Sequence, residues 1–230
     1  MPFYLKLTKM DKEIRSFEVE IRKAPDSPVI EGRAIPFSIF SPNREGFREM
    51  ISPEAVEGVI EASDIMMLYN HDRSRGFLAR NNKGKGSLKI DVREDGVYFD
   101  FPIGTDNLST YVRERLERGE LNETSFAFTV KEDRWVKADD GVYERTITKF
   151  EKLYDFSVVD NSYYGIKDAV GCKRFAELQE EDRKALEAAQ KAEEERKAEE
   201  ERIAEEKRIE KLNAYYEALR EEYKEYLKKD

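Results

Sequence analysis

SLKIDVREDGVYFDFPI, residues 87–103, carries two apolar alternations separated by a turn signal. Leu88, Ile90 and Val92 recur with period two, EDG supplies the reversal, and Val97, Phe99 and Phe101 recur with period two again. Successive side chains of a strand point to opposite faces, so each run gathers its apolar residues on one side. The stretch predicts an antiparallel hairpin with one buried face, and therefore a sheet that must be covered by a second layer.

The same reading extends in both directions. SFEVEIR, residues 16–22, alternates with period two before Pro25 and Pro28, and VIEGRAIPFSIF, residues 29–40, resumes a strand with Gly32 at a bulge or close backbone approach. SPNREGF, residues 41–47, reads as a polar loop. Ser52 as N-cap, Pro53 at the first position and Glu54 near the positive end predict a short helix through Ala62. The apolar run 65–69 has strand length and ends at Asn70 and His71, and NNKGKG, residues 81–86, is a turn.

Downstream of the hairpin, Leu108, Tyr111, Val112 and Leu116 fall at helical spacing within residues 106–118, and Gly119 is the stop signal. TSFAFTV, residues 124–130, returns to strand character, and two more strand-like runs follow at 141–150 and 151–159. Short strands with two intervening helices predict an α+β fold, a β-barrel-like domain with flanking helices over residues 1–174.

Charged residues make up 40% of the chain against 39% hydrophobic, and the excess lies beyond Phe175, so one core with a charged helical extension over 175–230 fits better than two cores. Residues 177–212 contain no Pro or Gly and are built from strong helix formers, with Glu193–Lys197, Glu194–Lys197 and Glu199–Arg202 at pairing distance. Ile209, Leu212, Tyr216, Leu219, Tyr223 and Tyr226 step by 3, 4, 3, 4 and 3 residues, a short coiled-coil-like seam at the end of a solvated helix.

Several classes of function are disfavoured by composition. The net charge of -9 gives no electrostatic support for nucleic-acid binding. One cysteine, Cys172, and one histidine, His71, make neither an internal disulfide nor a zinc set, and a reducing, intracellular setting is expected. MPFYLKLTKMDKE at the start reads as no signal peptide, and no apolar run is long enough to suggest a membrane span. GxxxxGK, GxGxxG and HExxH motifs are absent, and no cofactor or metal is expected.

Imidazole catalysis therefore rests on His71. A hydroxyl nucleophile needs a base of near-neutral pKa and a group that orients the base. Ser125, at the start of an apolar strand in GELNETSFAFTV, is the best-placed hydroxyl, whereas Cys172 lies beside Lys173 and Arg174 past the last strand and marks the end of the domain. Spacing alone leaves open a structural alternative in which His71 closes a strand and Ser125 bonds to backbone.

The order EGRAIPF, FREMISPEAV, LYNHD, FLAR, the hairpin, LERGELNETSFAFTV and LYDFSVVDNSYYG resembles the prohead maturation proteases of tailed bacteriophages, relatives of the herpesvirus assembly proteases, over residues 31–165. The resemblance implies a β-barrel domain surrounded by helices and a serine endopeptidase that cleaves scaffold and capsid-protein segments inside the procapsid, in the host cytoplasm. It assigns the base to His71 and the nucleophile to Ser125. The second histidine that herpesvirus proteases use in the third role cannot come from this chain, so the resemblance points to Asp155, at the acidic position of its L-Y-E-x-S-V-V block, with Asp160 as runner-up. Asp72 neighbours the base, but adjacent strand side chains point apart. Arg80 is a candidate for the oxyanion, and its alternative is an ion-paired surface role. DNSYYG departs from the proline-aromatic pair of relatives and marks the final loop of the site as different. Expected partners are the major capsid protein and scaffold segments, with self-association left open and self-cleavage expected within or just before the helix. The competing reading is a non-catalytic assembly or scaffolding protein that binds capsid subunits through its helical tail.

Overall fold

A computed structural model describes residues 12–17, 22–23, 28–43, 46–160 and 169–226. The chain forms two compact units, Met1–Phe175 and Ala176–Asp230. In chain order its elements are β1 (Glu13–Phe17), β2 (Arg22–Lys23), β3 (Val29–Pro36), β4 (Phe47–Ile51), a 3₁₀ turn (Pro53–Val56), α1 (Val59–Ala62), β5 (Asp64–Tyr69), a second 3₁₀ turn (Arg73–Arg75), β6 (Ala79–Asn82), β7 (Lys89–Arg93), β8 (Gly96–Pro102), α2 (Asn107–Glu117), β9 (Glu123–Lys137), β10 (Tyr143–Val159) and α3 (Ala169–Tyr226).

The predicted hairpin is β7 and β8, paired from Lys89↔Asp100 to Arg93↔Gly96. Its buried face comes mainly from β8, where Val97, Phe99 and Phe101 are in the core. Val92 on the outer strand β7 is half-exposed. β8 pairs on its other side with β3, and the order β2-β3-β8-β7 makes the second sheet. The register shift in β3 falls between Arg33 and Ile35 and not at Gly32, which pairs with Phe99.

The first sheet is organised by the long β9–β10 hairpin. Its order is β1-β9-β10-β5-β6, and β4 also pairs with β10. β4 and β5 are both parallel to β10, β4 at Tyr143 to Ile147 and β5 at Asp155 to Val158. The runs at 141–150 and 151–159 are thus one strand, broken in pattern by register shifts between Ile147 and Asp155. Such bulges insert residues and bend the strand, which hides a single long strand from a period-two reading.

The fold is α+β, but the two sheets do not close into a barrel among the described residues. They meet through isolated bonds: the Thr124 hydroxyl donates to the Arg33 carbonyl at 3.0 Å, and the Leu88 N–H donates to the Arg80 carbonyl at 3.1 Å. Between β6 and β7 the backbone turns on itself, with Asn82 and Lys85 bonding each other, so no ladder continues there. Gly86 makes the approach possible. Its φ is +128°, and a Cβ would lie 2.0 Å from the Arg80 carbonyl oxygen.

Between the sheets, Phe126 and Phe128 stack at 5.1 Å, Phe150 lies 4.6 Å from Phe128, and Phe99 meets Phe156 at 6.4 Å. Each buried phenylalanine contributes about 1.5–3 kcal/mol of transfer free energy. The expected helix over 52–62 is interrupted, because Gly58 takes φ +68° between the 3₁₀ turn and α1, and Ser52 makes no side-chain cap. α2 starts as expected, with Asp106 accepting from the Ser109 N–H. Phe175 packs 5.4 Å from Phe47 and 5.8 Å from Tyr143.

In the second unit the helix is laced by Lys197–Glu193 at 3.6 Å and Arg202–Glu199 at 2.7 Å. Ile209, Leu212, Tyr216 and Leu219 of the expected seam are exposed. The side chains of Tyr223 and Tyr226 lie outside the described residues. No described helix is long and apolar enough to cross a membrane.

Candidate active site

The site is built on one face of β9 and β10. Side chains two residues apart on a strand share a face, and partners opposite each other across a ladder do too. Asp155 and Ser157 are two apart on β10, and Ser157 pairs with Ser125 of β9. All three are buried. Phe126 and Phe156, next in sequence to Ser125 and Asp155, point to the opposite side and into the core.

His71 reaches this face from the end of β5. Asn70 and His71 both take positive φ, 52° and 56°. That region is costly for residues with a side chain and is sustained here by specific bonds. The Asn70 N–H donates to the Val158 carbonyl at 3.0 Å, and the His71 N–H donates to the Ser157 Oγ at 3.1 Å. The Asn70 side-chain oxygen accepts from the Asp160 N–H at 3.2 Å. The reversal turns the imidazole back over β10, so His71 belongs to a turn and not to the strand.

Once there, the ring spans the site. Nε2 is 2.6 Å from the Ser125 Oγ, and Nδ1 is bonded to the Asp155 Oδ1. The Ser157 hydroxyl donates to the same Asp155 oxygen at 3.1 Å and lies 3.2 Å from Nδ1. The other Asp155 oxygen accepts from the Lys12 ammonium at 3.0 Å. Burial alone would push the Asp155 carboxyl up, but its hydrogen bond to His71, the electrostatic attraction of that ring and Lys12 outweigh burial and hold it below the usual carboxylate range. An ionised Asp155 makes Nδ1 the ring's proton donor and leaves Nε2 to accept from Ser125.

The Ser125 hydroxyl has a second acceptor, the Arg15 carbonyl of β1 at 2.9 Å. Ser16 of β1 lies opposite Ser125 in the β1–β9 ladder. The side chains of Glu13 and Arg15 enter a buried charge cluster on the other face. Arg145 donates to Glu13 at 2.7 Å, to Glu49 at 2.8 Å and to Asp133 at 2.7 Å. Arg15 donates to Glu13 at 2.7 Å and to both Glu49 oxygens.

The other predicted residues lie apart from this group. Asp72 accepts from the Ser74 N–H at 2.9 Å and caps the turn at Arg73–Arg75; strand alternation is not the reason it is excluded, because His71 is in no strand. Asp160 accepts from the Tyr69 hydroxyl at 2.8 Å. Arg80 donates to Asp64 at 2.7 Å, the ion-paired role. The side chain of Cys172 and residues 161–165 of DNSYYG lie outside the described residues. Ser157, Lys12 and the Arg15 carbonyl were not singled out from sequence. Ser157 alone left a signal, since it stands two residues after Asp155 on a strand.

A hydroxyl, an imidazole and a carboxylate in continuous hydrogen-bond contact form the arrangement with which hydrolases carry out acyl transfer. The family model described as caudovirus prohead serine protease matches residues 15–181, and the chain belongs to that family. Membership makes it a prohead protease. The solved structure of the bacteriophage T4 capsid assembly protease is similar at 10% identity and a TM-score of 0.43, covering 66% of this chain and 98% of that one. No curated protein sequence matches the chain.

Proposed function

We propose that the chain is a serine endopeptidase that cleaves scaffold and capsid-protein segments inside the procapsid during phage capsid maturation. The observation that carries the reading is the position of the His71 ring, with Nε2 2.6 Å from the Ser125 hydroxyl and Nδ1 on Asp155. Family membership supports the substrate class.

In the mechanism, the Ser125 Oγ attacks a peptide carbonyl carbon while His71 Nε2 takes its proton. The tetrahedral intermediate collapses as the imidazolium returns the proton to the leaving amine, which leaves an acyl-enzyme on Ser125. Water, deprotonated by His71, then attacks the ester and frees Ser125. Asp155 keeps the Nδ1 proton in place and stabilises the imidazolium in both halves. The exposed Ile209, Leu212, Tyr216 and Leu219 of α3 support a second role for the helix, docking on helical scaffold segments so that the protease is enclosed with its substrates.

Co-expression with the phage's major capsid and scaffold proteins tests the reading. Mass spectrometry should find N- or C-terminal segments removed with the unaltered chain and retained with Ser125→Ala. Identical products from both would remove the serine mechanism and favour the assembly-protein reading.

A further inference from the structure

Ser125 is fully buried, although a nucleophile must meet a peptide carbonyl. What covers it includes β1. This strand is the terminal strand of its sheet, paired antiparallel with β9 from Glu13↔Phe128 to Phe17↔Thr124. Two of its contacts, and one from Lys12 just before it, fall on the proposed catalytic groups or their partners: Ser16 opposite Ser125, the Arg15 carbonyl accepting the Ser125 hydroxyl at 2.9 Å, and Lys12 on Asp155 at 3.0 Å. The Arg15 oxygen competes with His71 Nε2 for the one proton of Ser125. A hydroxyl that donates to a carbonyl oxygen is not attacking its carbon.

How β1 is held is equally informative. Ile14, the apolar residue between its two charges, is 40% exposed, so hydrophobic burial does not anchor that segment. Its inward side chains are Glu13 and Arg15, which bond each other at 2.7 Å as well as the cluster behind them. If β1 leaves, one negative and one positive charge leave together; Arg145 retains its bonds to Glu49 at 2.8 Å and to Asp133 at 2.7 Å, while the Glu49 oxygens that Arg15 held pass to water. Buried ion pairs gain little over solvated ones once desolvation is counted, so a strand held by charge, whose partners both reach water when it lifts, is released more easily than one held by apolar burial. Its departure would make residues 124–128 of β9 an open sheet edge with Ser125 on it, the template to which an extended peptide adds as a strand.

We propose that β1 is a displaceable, substrate-mimicking strand that keeps Ser125 closed, and that the β9 edge beneath it is the binding site for an extended substrate peptide in the same antiparallel register. The proposal rests on Ser125 being the nucleophile. The open form is a minority, and any reagent of Ser125 reacts only with that fraction.

The test is the rate at which an alkyl fluorophosphonate labels Ser125 in the full chain, read by peptide mass spectrometry. Arg15→Pro removes the backbone N–H that lies on the same side as the carbonyl facing Ser125, and so a donor from β1 to β9. The paired Glu13→Gln and Arg15→Gln change removes its charges in balance and serves if the proline variant does not fold. Either should label at least about tenfold faster than the unaltered chain, as expected when a form populated at about 10% or less becomes dominant. An excess of a synthetic peptide of residues 10–19 should slow the variants again. In the unaltered chain, β1 amides should exchange with solvent at least about tenfold faster than those of β10. Equal labelling in folded variants, or equal protection of β1 and β10, would overturn the proposal and leave the protease reading intact. If no folded chain labels at Ser125 while Ser125→Ala behaves identically, the serine mechanism falls and this inference with it.

Discussion

Ser125 and Ser157 face one another as a register pair across β9 and β10, and the His71 ring lies against both hydroxyls, Nε2 2.6 Å from Ser125 and Nδ1 3.2 Å from Ser157. The pairing divides the labour between two residues of one kind. Ser125 meets the ring nitrogen that accepts a proton, while Ser157 receives the His71 backbone N–H and donates to Asp155. In the proposed mechanism one serine does the chemistry, and its partner holds the histidine in a backbone conformation it would otherwise avoid.

Ser157→Ala should therefore slow cleavage by less than Ser125→Ala does. Leaving the His71 N–H without its partner costs about 1–3 kcal/mol, which corresponds to a fall in kcat of about 5- to 150-fold if it is felt in the transition state. Loss of a serine nucleophile costs on the order of 10⁶. Ser157→Thr, which keeps a hydroxyl, should recover most of the rate with KM unchanged. Single-turnover cleavage of a capsid-protein segment reads all three, and a wild-type kcat in Ser157→Ala would make the contact incidental.

Asp155→Asn tests the third position. An amide in place of the carboxylate favours the wrong imidazole tautomer, and in a site of this kind that lowers kcat by about 10⁴. The fold should survive, because Asn retains the shape and an acceptor for Lys12. Because the Asp155 carboxyl is held below the usual range, its contribution to stability is present at neutral pH and is lost only as pH falls through its folded pKa. Cleavage rates for both chains at neutral pH, together with melting curves, give the two readings separately.

What could be read from the linear chain follows from where polarity and burial agree. β8 buries Val97, Phe99 and Phe101 on one face, and the hairpin was legible from that alternation alone. β1 inverts the rule and β4 breaks it at Glu49, between buried Phe47 and Ile51: Glu13, Arg15 and Glu49 are buried while Ile14 is exposed, because the charges satisfy one another and Arg145 inside. No periodicity of apolar residues reports β1, and the charge at Glu49 interrupts the alternation of β4. Of the strand expected at 16–22, Ser16 and Phe17 belong to β1, Arg22 belongs to β2, and residues 18–21 lie outside the described residues; FREMI, between a polar loop and a helix signal, carries no clear strand pattern. His71, Ser125 and Asp155 could be named from ordered blocks, but their contact depends on the positive φ of Asn70 and His71, which has no glycine to announce it.

The buried cluster should also set the acid stability of the domain. Burial pushes the Glu49 carboxyl up, yet Arg15 and Arg145 overcome this and bring it from 4.5 to about 2. A carboxylate with a depressed folded pKa contributes stability that is complete above its unfolded pKa and disappears as pH falls through the folded one. The melting temperature should fall as pH drops from 4.5 toward 2. Glu49→Gln should flatten this dependence and, by leaving Arg15 and Arg145 short of a buried partner, cost about 3–5 kcal/mol at pH 7. A variant as stable as the unaltered chain at neutral pH, with the same acid slope, would show that Glu49 carries none of this.

The helix makes a separable prediction. Leu212 and Leu219 are 52% and 48% exposed, and nothing in the ion-pair pattern of α3 requires them: pairs such as Arg202–Glu199 at 2.7 Å sit elsewhere and contribute about 0.2–0.5 kcal/mol each. Leu212→Glu with Leu219→Glu should thus leave helicity and cleavage of a soluble capsid-protein segment unchanged. Docking is another matter. Burying two leucines against a scaffold helix is worth about 1.5–3 kcal/mol each, so the double change should weaken association by at least about a hundredfold. Copies of the protease per procapsid, counted by quantitative mass spectrometry, should fall accordingly, and an unchanged copy number would mean that enclosure depends on the Met1–Phe175 unit alone.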